Sequence, residues 1–204
     1  MTTSTVLDKH GVLEHANALK LDLGCGAAKR GADYVGVDLA DGDAVDVVGD
    51  VLDVLRAIGD ECVVKVYSSH LFEHVDDLAE LVAELERVVV TGGRLHVVVP
   101  HFSNPYHHSD PTHRRTFGLY TFSYFADDRR LRRRVPTYGH SPRFRVERVR
   151  HNFRSAVELP GRHRLKAALN RAVNAAPLIG ELYEANLAWV LPCYELEFEL
   201  VKTA

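Results

Sequence analysis

Residues 20–38 read KLDLGCGAAKRGADYVGVD, and no other stretch constrains this chain as much. Residues 18–23 (ALKLDL) have the composition of a strand that stops at Gly24, and residues 34–38 (YVGVD) form a second short apolar run ending in Asp38. Glycine at 24 and 26 permits positive φ and lets a ligand approach the backbone. In open parallel sheets ligands sit beyond the carboxyl ends of the strands, where this turn lies. A dinucleotide fingerprint would need a third glycine where Lys29 stands, and its ribose-binding acid about 20 residues on. Asp38 comes only 12 residues after Gly26. A carboxylate at the end of the second strand can still accept both hydroxyls of a ribose, so the pattern points to a nucleoside ligand.

The following residues extend the same scheme. Residues 44–48 (AVDVV), 62–67 (CVVKVY) and 94–99 (RLHVVV) read as strands. Residues 50–58 have helical spacing behind an aspartate cap, and residues 76–89 set Leu78, Leu81, Val82, Leu85 and Val88 on one stripe. Thr91, Gly92 and Gly93 are expected to end that helix. Residues 101–142 lose periodicity and read as a lid over the ligand. Residues 143–150 and 194–202 read as closing strands, the last alternating as if one face were solvated, with helices at about 162–176 and 181–190 between them. The expectation is one α/β domain over residues 1–204. Its Rossmann-like sheet has seven mostly parallel strands with helices on both faces, and a lid-like insertion before the sixth strand.

Composition narrows the class. With 204 residues there is room for one domain with a sizeable core. No apolar run approaches the roughly 20 residues that span a bilayer. The first 16 residues lack the apolar centre of a secretory signal, and three scattered cysteines fit a reducing cytoplasm. Residues 1–100 hold 18 acidic against 8 basic side chains and residues 101–204 hold 10 against 17, an asymmetry open to an anionic partner or to two solvated faces.

At this point a family resemblance emerges. Residues 21–26 (LDLGCG) resemble the first motif of class I S-adenosylmethionine-dependent methyltransferases. Val37-Asp38, Gly49-Asp50-Val51, the segment 69–75 (SHLFEHV), and Glu86-Arg87-Val88 with residues 92–95 (GGRL) resemble later elements in the same order. Asp110-Pro111-Thr112-His113 with Phe117 resembles a DPTHxxxF segment of a small bacterial subgroup. Ala27-Ala28 depart from that subgroup's usual proline and asparagine, as does the start of the fourth strand. The resemblance implies S-adenosylmethionine as cofactor. Gly24, Cys25 and Gly26 would lie against its methionine portion with Asp22 near the amino group. Asp38 and Leu39 would hold the ribose, Asp50 and Val51 the adenine, and Ser69 and His70 would line the floor. It implies methyl transfer to an oxygen or nitrogen of a small molecule, a saccharide or natural-product intermediate. RNA methylation, a cofactor-binding domain without turnover, and another use of the cofactor stay open.

The segment 101–120 holds four of the twelve histidines. Histidine titrates near neutrality and suits removal of a proton from an acceptor. His113, His101 and His70 are the candidate bases, and Tyr106, His107, His108, His113 and Arg114 the candidate acceptor contacts. Imidazole and carboxylate here could also hold a transition metal, but the spacing matches no recognised site and no metal is expected. Ten arginines between 129 and 154 suit an anionic small-molecule acceptor, RNA or a charged edge strand. The low pI of 6.4 disfavours nucleic acid.

Overall fold

β-Branched runs in the first hundred residues become parallel strands because both faces of each are covered. The computed structural model describes residues 6–13, 17–136, 138, 141–154 and 162–204. Along the first half run β1 (Leu7–Asp8), β2 (Leu19–Leu23), β3 (Val35–Asp38), β4 (Val47–Val48), α1 (Val51–Ala57), β5 (Val63–Ser69), α2 (Leu78–Val88) and β6 (Val89–Pro100). The second half adds β7 (Ala126–Asp127), β8 (Phe144–Asn152), α3 (Arg162–Val173), α4 (Pro177–Asn186) and β9 (Glu195–Lys202). One mixed sheet has the order β1-β4-β3-β2-β5-β6-β9-β8-β7, and its β4 to β6 portion is parallel.

The sheet therefore has nine strands among the described residues, where seven were expected. The two additions, β1 and β7, are two-residue edge strands, too short to show any period. Local signals explain the helices. Asp50 caps α1 by accepting from the Leu52 N–H at 2.9 Å, and Asp77 caps α2 by accepting from the Glu80 N–H at 3.0 Å. α2 buries the five-residue stripe read from its spacing. Pro177 opens α4 earlier than expected, in the first-turn position proline favours. The glycines at 92 and 93 do not separate helix from strand. β6 begins directly at Val89 and takes them up as an irregularity in its register with β5.

Two further expectations are corrected. β9 is more buried than one solvated face implies: it lies inside the sheet, antiparallel to both β6 and β8, with Glu197 and Glu199 half-buried. Leu196, Phe198 and Leu200 enter the main core, while the alternate residues are paired with charge: Glu197 with His96 at 2.8 Å and Glu199 with Arg148 at 3.2 Å. Nor is the segment after β6 a free lid. Phe117, Phe122 and Ala126 belong to the main core, and the Phe102 N–H donates to the Phe117 carbonyl at 2.8 Å. Its scattered aromatics anchor it as a fixed wall; residues 137, 139 and 140 of this stretch lie outside the described residues.

Phe198 sits at the centre of β9, fully buried, with its ring centroid 4.7 Å from that of Phe122. Phe198→Ala is expected to lower stability by about 3–5 kcal/mol in urea unfolding, whereas Leu39→Ala, at an exposed position, stays within about 0.5 kcal/mol.

Candidate active site

The glycine turn is stitched to the neighbouring strand. The N–H groups of Gly24 and Cys25 both donate to the Val37 carbonyl, at 2.8 and 3.2 Å. Gly24 and Gly26 have φ of +72° and +55°, which only glycine adopts without cost. A Cβ on Gly24 would also lie 3.0 Å from that of Leu71. The Gly26 N–H donates to Asp38 Oδ2 at 2.8 Å and the Ala40 N–H to Oδ1 at 3.0 Å. Each carboxylate oxygen thus keeps lone-pair capacity beyond its backbone bond, in a side chain already held in place.

Asp38 opens into a cleft of about 230 Å³. Its apolar walls are Val37, Leu39, Val51, Leu52, Leu71 and Val75, with Gly24 and Gly49 at the backbone and Asp50, His74 and Asp76 supplying polar groups. Asp50 Oδ1 is committed to capping α1, while Oδ2 remains for a ligand, so the capping and binding roles coexist. The cleft pairs an acid suited to a diol with apolar surfaces suited to a flat ring.

The far rim is built from two loops. After β5, Phe72–His74 forms a 3-10 turn, and the segment following β6 packs on it. The Arg114 N–H donates to the Glu73 carbonyl at 2.7 Å, and Arg115 donates to the Val75 carbonyl at 3.1 Å. Asp110 Oδ1 accepts the Thr112 hydroxyl at 2.6 Å, which leaves Thr112 Oγ1, 2.9 Å from His74 Nδ1, to accept from that nitrogen. His113 Nδ1 lies 2.9 Å from the His107 carbonyl and donates to it. Both rings therefore carry their proton on Nδ1 and a lone pair on Nε2; their centroids stand 4.8 Å apart.

Residues 21–97, most of the span from β2 to β6, match the family model described as a methyltransferase domain. That stretch is 77 of the 204 residues. The match supports an S-adenosylmethionine-dependent methyltransferase with S-adenosylmethionine as its cofactor. The fold is similar to that of a SAM-dependent methyltransferase from Archaeoglobus fulgidus, 18% identical, over 92% of this chain and 86% of that one, with a TM-score of 0.56. It is also similar to Haemonchus contortus phosphoethanolamine N-methyltransferase 2, solved in complex with S-adenosyl-L-methionine. That protein is 13% identical over 92% of this chain and 49% of that one, with a TM-score of 0.50. No curated protein matches the sequence.

The residues singled out from sequence divide into groups. Gly24, Asp38, Leu39, Asp50 and Val51 line the cleft. Asp22 and Cys25 lie under the turn: Asp22 Oδ2 accepts the Arg30 N–H at 2.6 Å, and burial pushes its carboxyl up. Burial, with Asp22 and Asp38 nearby, raises the Cys25 thiol to about 11, which disarms it as a nucleophile. Ser69 is half-buried at the end of β5, beside Val98. His113 and Arg114 reach the rim, Arg114 pairing with Asp76 at 3.3 Å. His107 is buried against His113, His108 Nε2 is bound to the Phe102 carbonyl, and Tyr106 packs near Tyr194. His74 and Leu71 were not among the site residues expected from sequence; the segment 69–75 that holds both was the available signal.

Two candidate bases occupy settings that oppose that role. His101 is 0% exposed. Its Nδ1 accepts the Ser103 N–H at 3.1 Å, its Nε2 faces Glu184 at 3.3 Å, and burial lowers its pKa despite that acid. Burial opposes ionisation of Glu184, but His101, His151 and the Leu119 N–H hold it down at about 2. His70, at φ +57°, lies between Glu73 and Glu195, each 3.2 Å away. Glu195 first, then Glu73, push it up to about 9, so it holds its proton at neutral pH.

The raised value of His70 has a sign. Its contribution to stability is full below the unfolded pKa of 6.5 and is lost as pH rises through about 9. In urea unfolding, His70→Asn, which tolerates positive φ, is expected to differ most from wild type at about pH 6 and least at about pH 9.5. A difference independent of pH would refute the clamp.

Proposed function

We propose that this enzyme transfers the methyl group of S-adenosylmethionine to an oxygen or nitrogen of a small molecule bound at the His74–His113 rim. The observation that carries the reading is the Asp38 carboxylate, fixed by two backbone N–H groups at the mouth of an apolar cleft whose other wall includes His74. The residues fit the cofactor: Asp38 for the ribose diol, Asp50 for the adenine amino group, Leu39, Val51 and Leu71 for the ring faces, and the backbone of Gly24 and Gly26 for the methionine portion. When bound, S-adenosylmethionine supplies a methyl group already electrophilic on its sulfonium.

The chain's own work is then alignment and proton removal, and holding the acceptor in line accounts for much of the rate. Nε2 of His74 and of His113 offers the lone pairs that can take the acceptor's proton. The walls of Leu52, Leu71 and Val75 keep water from the path. The DPTH resemblance favours a saccharide or natural-product intermediate as acceptor, and the free cysteines fit a cytoplasmic setting. A small molecule is favoured over RNA because several arginines on the β8 side are paired with acids: Arg145 with Glu147, Arg94 with Glu147 and Arg148 with Glu199.

Calorimetric titration with S-adenosylhomocysteine tests the cofactor site. Wild type is expected to bind in the micromolar range and Asp38→Ala roughly 100-fold more weakly, since two charge-assisted hydrogen bonds are lost, while NAD does not bind. Absence of binding by wild type would overturn the assignment. In methyl-transfer assays over hydroxylated and amino acceptors, His113→Ala is expected to lower kcat and leave S-adenosylhomocysteine affinity within about twofold. Binding without turnover on any acceptor would favour a scaffold role.

A further inference from the structure

Methyl transfer leaves Glu73 unexplained. Its side chain is wholly buried; Oε1 meets His70 Nδ1 at 3.2 Å, and Oε2 is enclosed with no hydrogen-bond partner. A carboxylate oxygen buried without a partner is costly and calls for a ligand. One oxygen of Glu73, one ring nitrogen of His74 and one of His113 all lie within 4.8 Å of one another. Both histidines are gripped from behind at Nδ1, one by Thr112 backed by Asp110 and the other by the His107 carbonyl. Metal-binding histidines are oriented in this way, with the far nitrogen left to the ion.

We propose that Glu73, His74 and His113 bind a divalent transition-metal ion of the zinc class, with an open coordination position toward the cleft for the acceptor's oxygen. Two imidazoles and one carboxylate suit zinc, cobalt or iron and leave a catalytic position open. Bond lengths of about 2.0–2.2 Å place tetrahedral ligands about 3.4 Å apart, so the three groups draw inward by roughly an ångström on binding. Negative charge near the site is supplied by Glu73 itself, by Glu195 beyond His70, and by Asp110, whose Oδ2 is 3.7 Å from His113 Nε2. His70 Nδ1, 3.2 Å from Glu73 Oε1, is the side chain next to that carboxylate.

The role at the acceptor rests on the methyl-transfer reading; the ion site itself does not. With the ion in place, the Nε2 lone pairs of both histidines are committed to it, and the ion makes the acceptor hydroxyl acidic. The hydroxyl proton passes to solvent, the oxygen forms the new O–C bond, and the electron pair of the breaking C–S bond stays on sulfur.

The test is titration of chelator-stripped protein with Co²⁺, followed by its visible d–d absorption and by calorimetry. One equivalent is expected to bind with the spectrum of a four- or five-coordinate ion. His113→Ala and His74→Ala should each weaken binding roughly 100-fold or more, and exposed His163→Ala should leave it unchanged. Glu73→Gln probes the carboxylate, and if that buried variant does not fold, the two histidine variants carry the test. S-adenosylhomocysteine is titrated in parallel. Co²⁺ binding lost in the variants, with S-adenosylhomocysteine binding retained, supports both the ion site and its role. S-adenosylhomocysteine binding without saturable Co²⁺ binding, or Co²⁺ binding that survives both histidine variants, overturns the ion site and leaves methyl transfer standing. Co²⁺ binding at these residues without S-adenosylhomocysteine binding overturns the role at the acceptor.

Discussion

The Val37 carbonyl accepts two N–H groups from the glycine turn, and the remainder of the site depends on that junction. The same turn sends its third N–H, from Gly26, to the Asp38 side chain one residue further along β3. Strand pairing, turn conformation and the orientation of the Asp38 carboxylate are thereby one object. A pocket fixed in this way spends little binding energy on ordering itself, which raises affinity without adding contacts. β4 completes the arrangement by running parallel to β3, so that Asp50 emerges beside Asp38.

A second junction builds the chemical end of the cleft. Backbone and guanidinium donors from residues 114 and 115 satisfy carbonyls of residues 73, 75 and 76, so two loops far apart in sequence close as a unit. Such a junction explains why the segment after β6 carries polar side chains yet stays in place. Phe117 and Phe122 sink into the core while His113 and Asp110 face the rim.

Much of this was legible in the chain. The parallel strands of the first half follow from β-branched runs and two capped helices, and the glycine pair with Asp38 marks the pocket. What was not legible depends on partners distant in sequence. β9 alternates apolar and charged residues, which reads as one wet face; only the position of His96 and Arg148 on neighbouring strands supplies the partners that half-cover it. His70 and His101 have the right chemistry for a base, but Glu195 lies 125 residues from one and Glu184 83 residues from the other. No local pattern reports those neighbours. His74 was passed over for the converse reason, since a histidine before a helix cap resembles a packing residue until Thr112 is seen behind it.

The placement of β9 between β6 and β8 bears on how the polypeptide matures during synthesis. While residues 195–202 are still to be translated, β6 has a bare edge of unpaired amide and carbonyl groups, and β8 has no neighbour through which to join the sheet. The parallel strands around the cleft can associate as they emerge from the ribosome, but the acid that clamps His70 arrives only with β9. A nascent chain halted before that point is thus a half-sheet with a sticky margin, the kind of intermediate that chaperones shield.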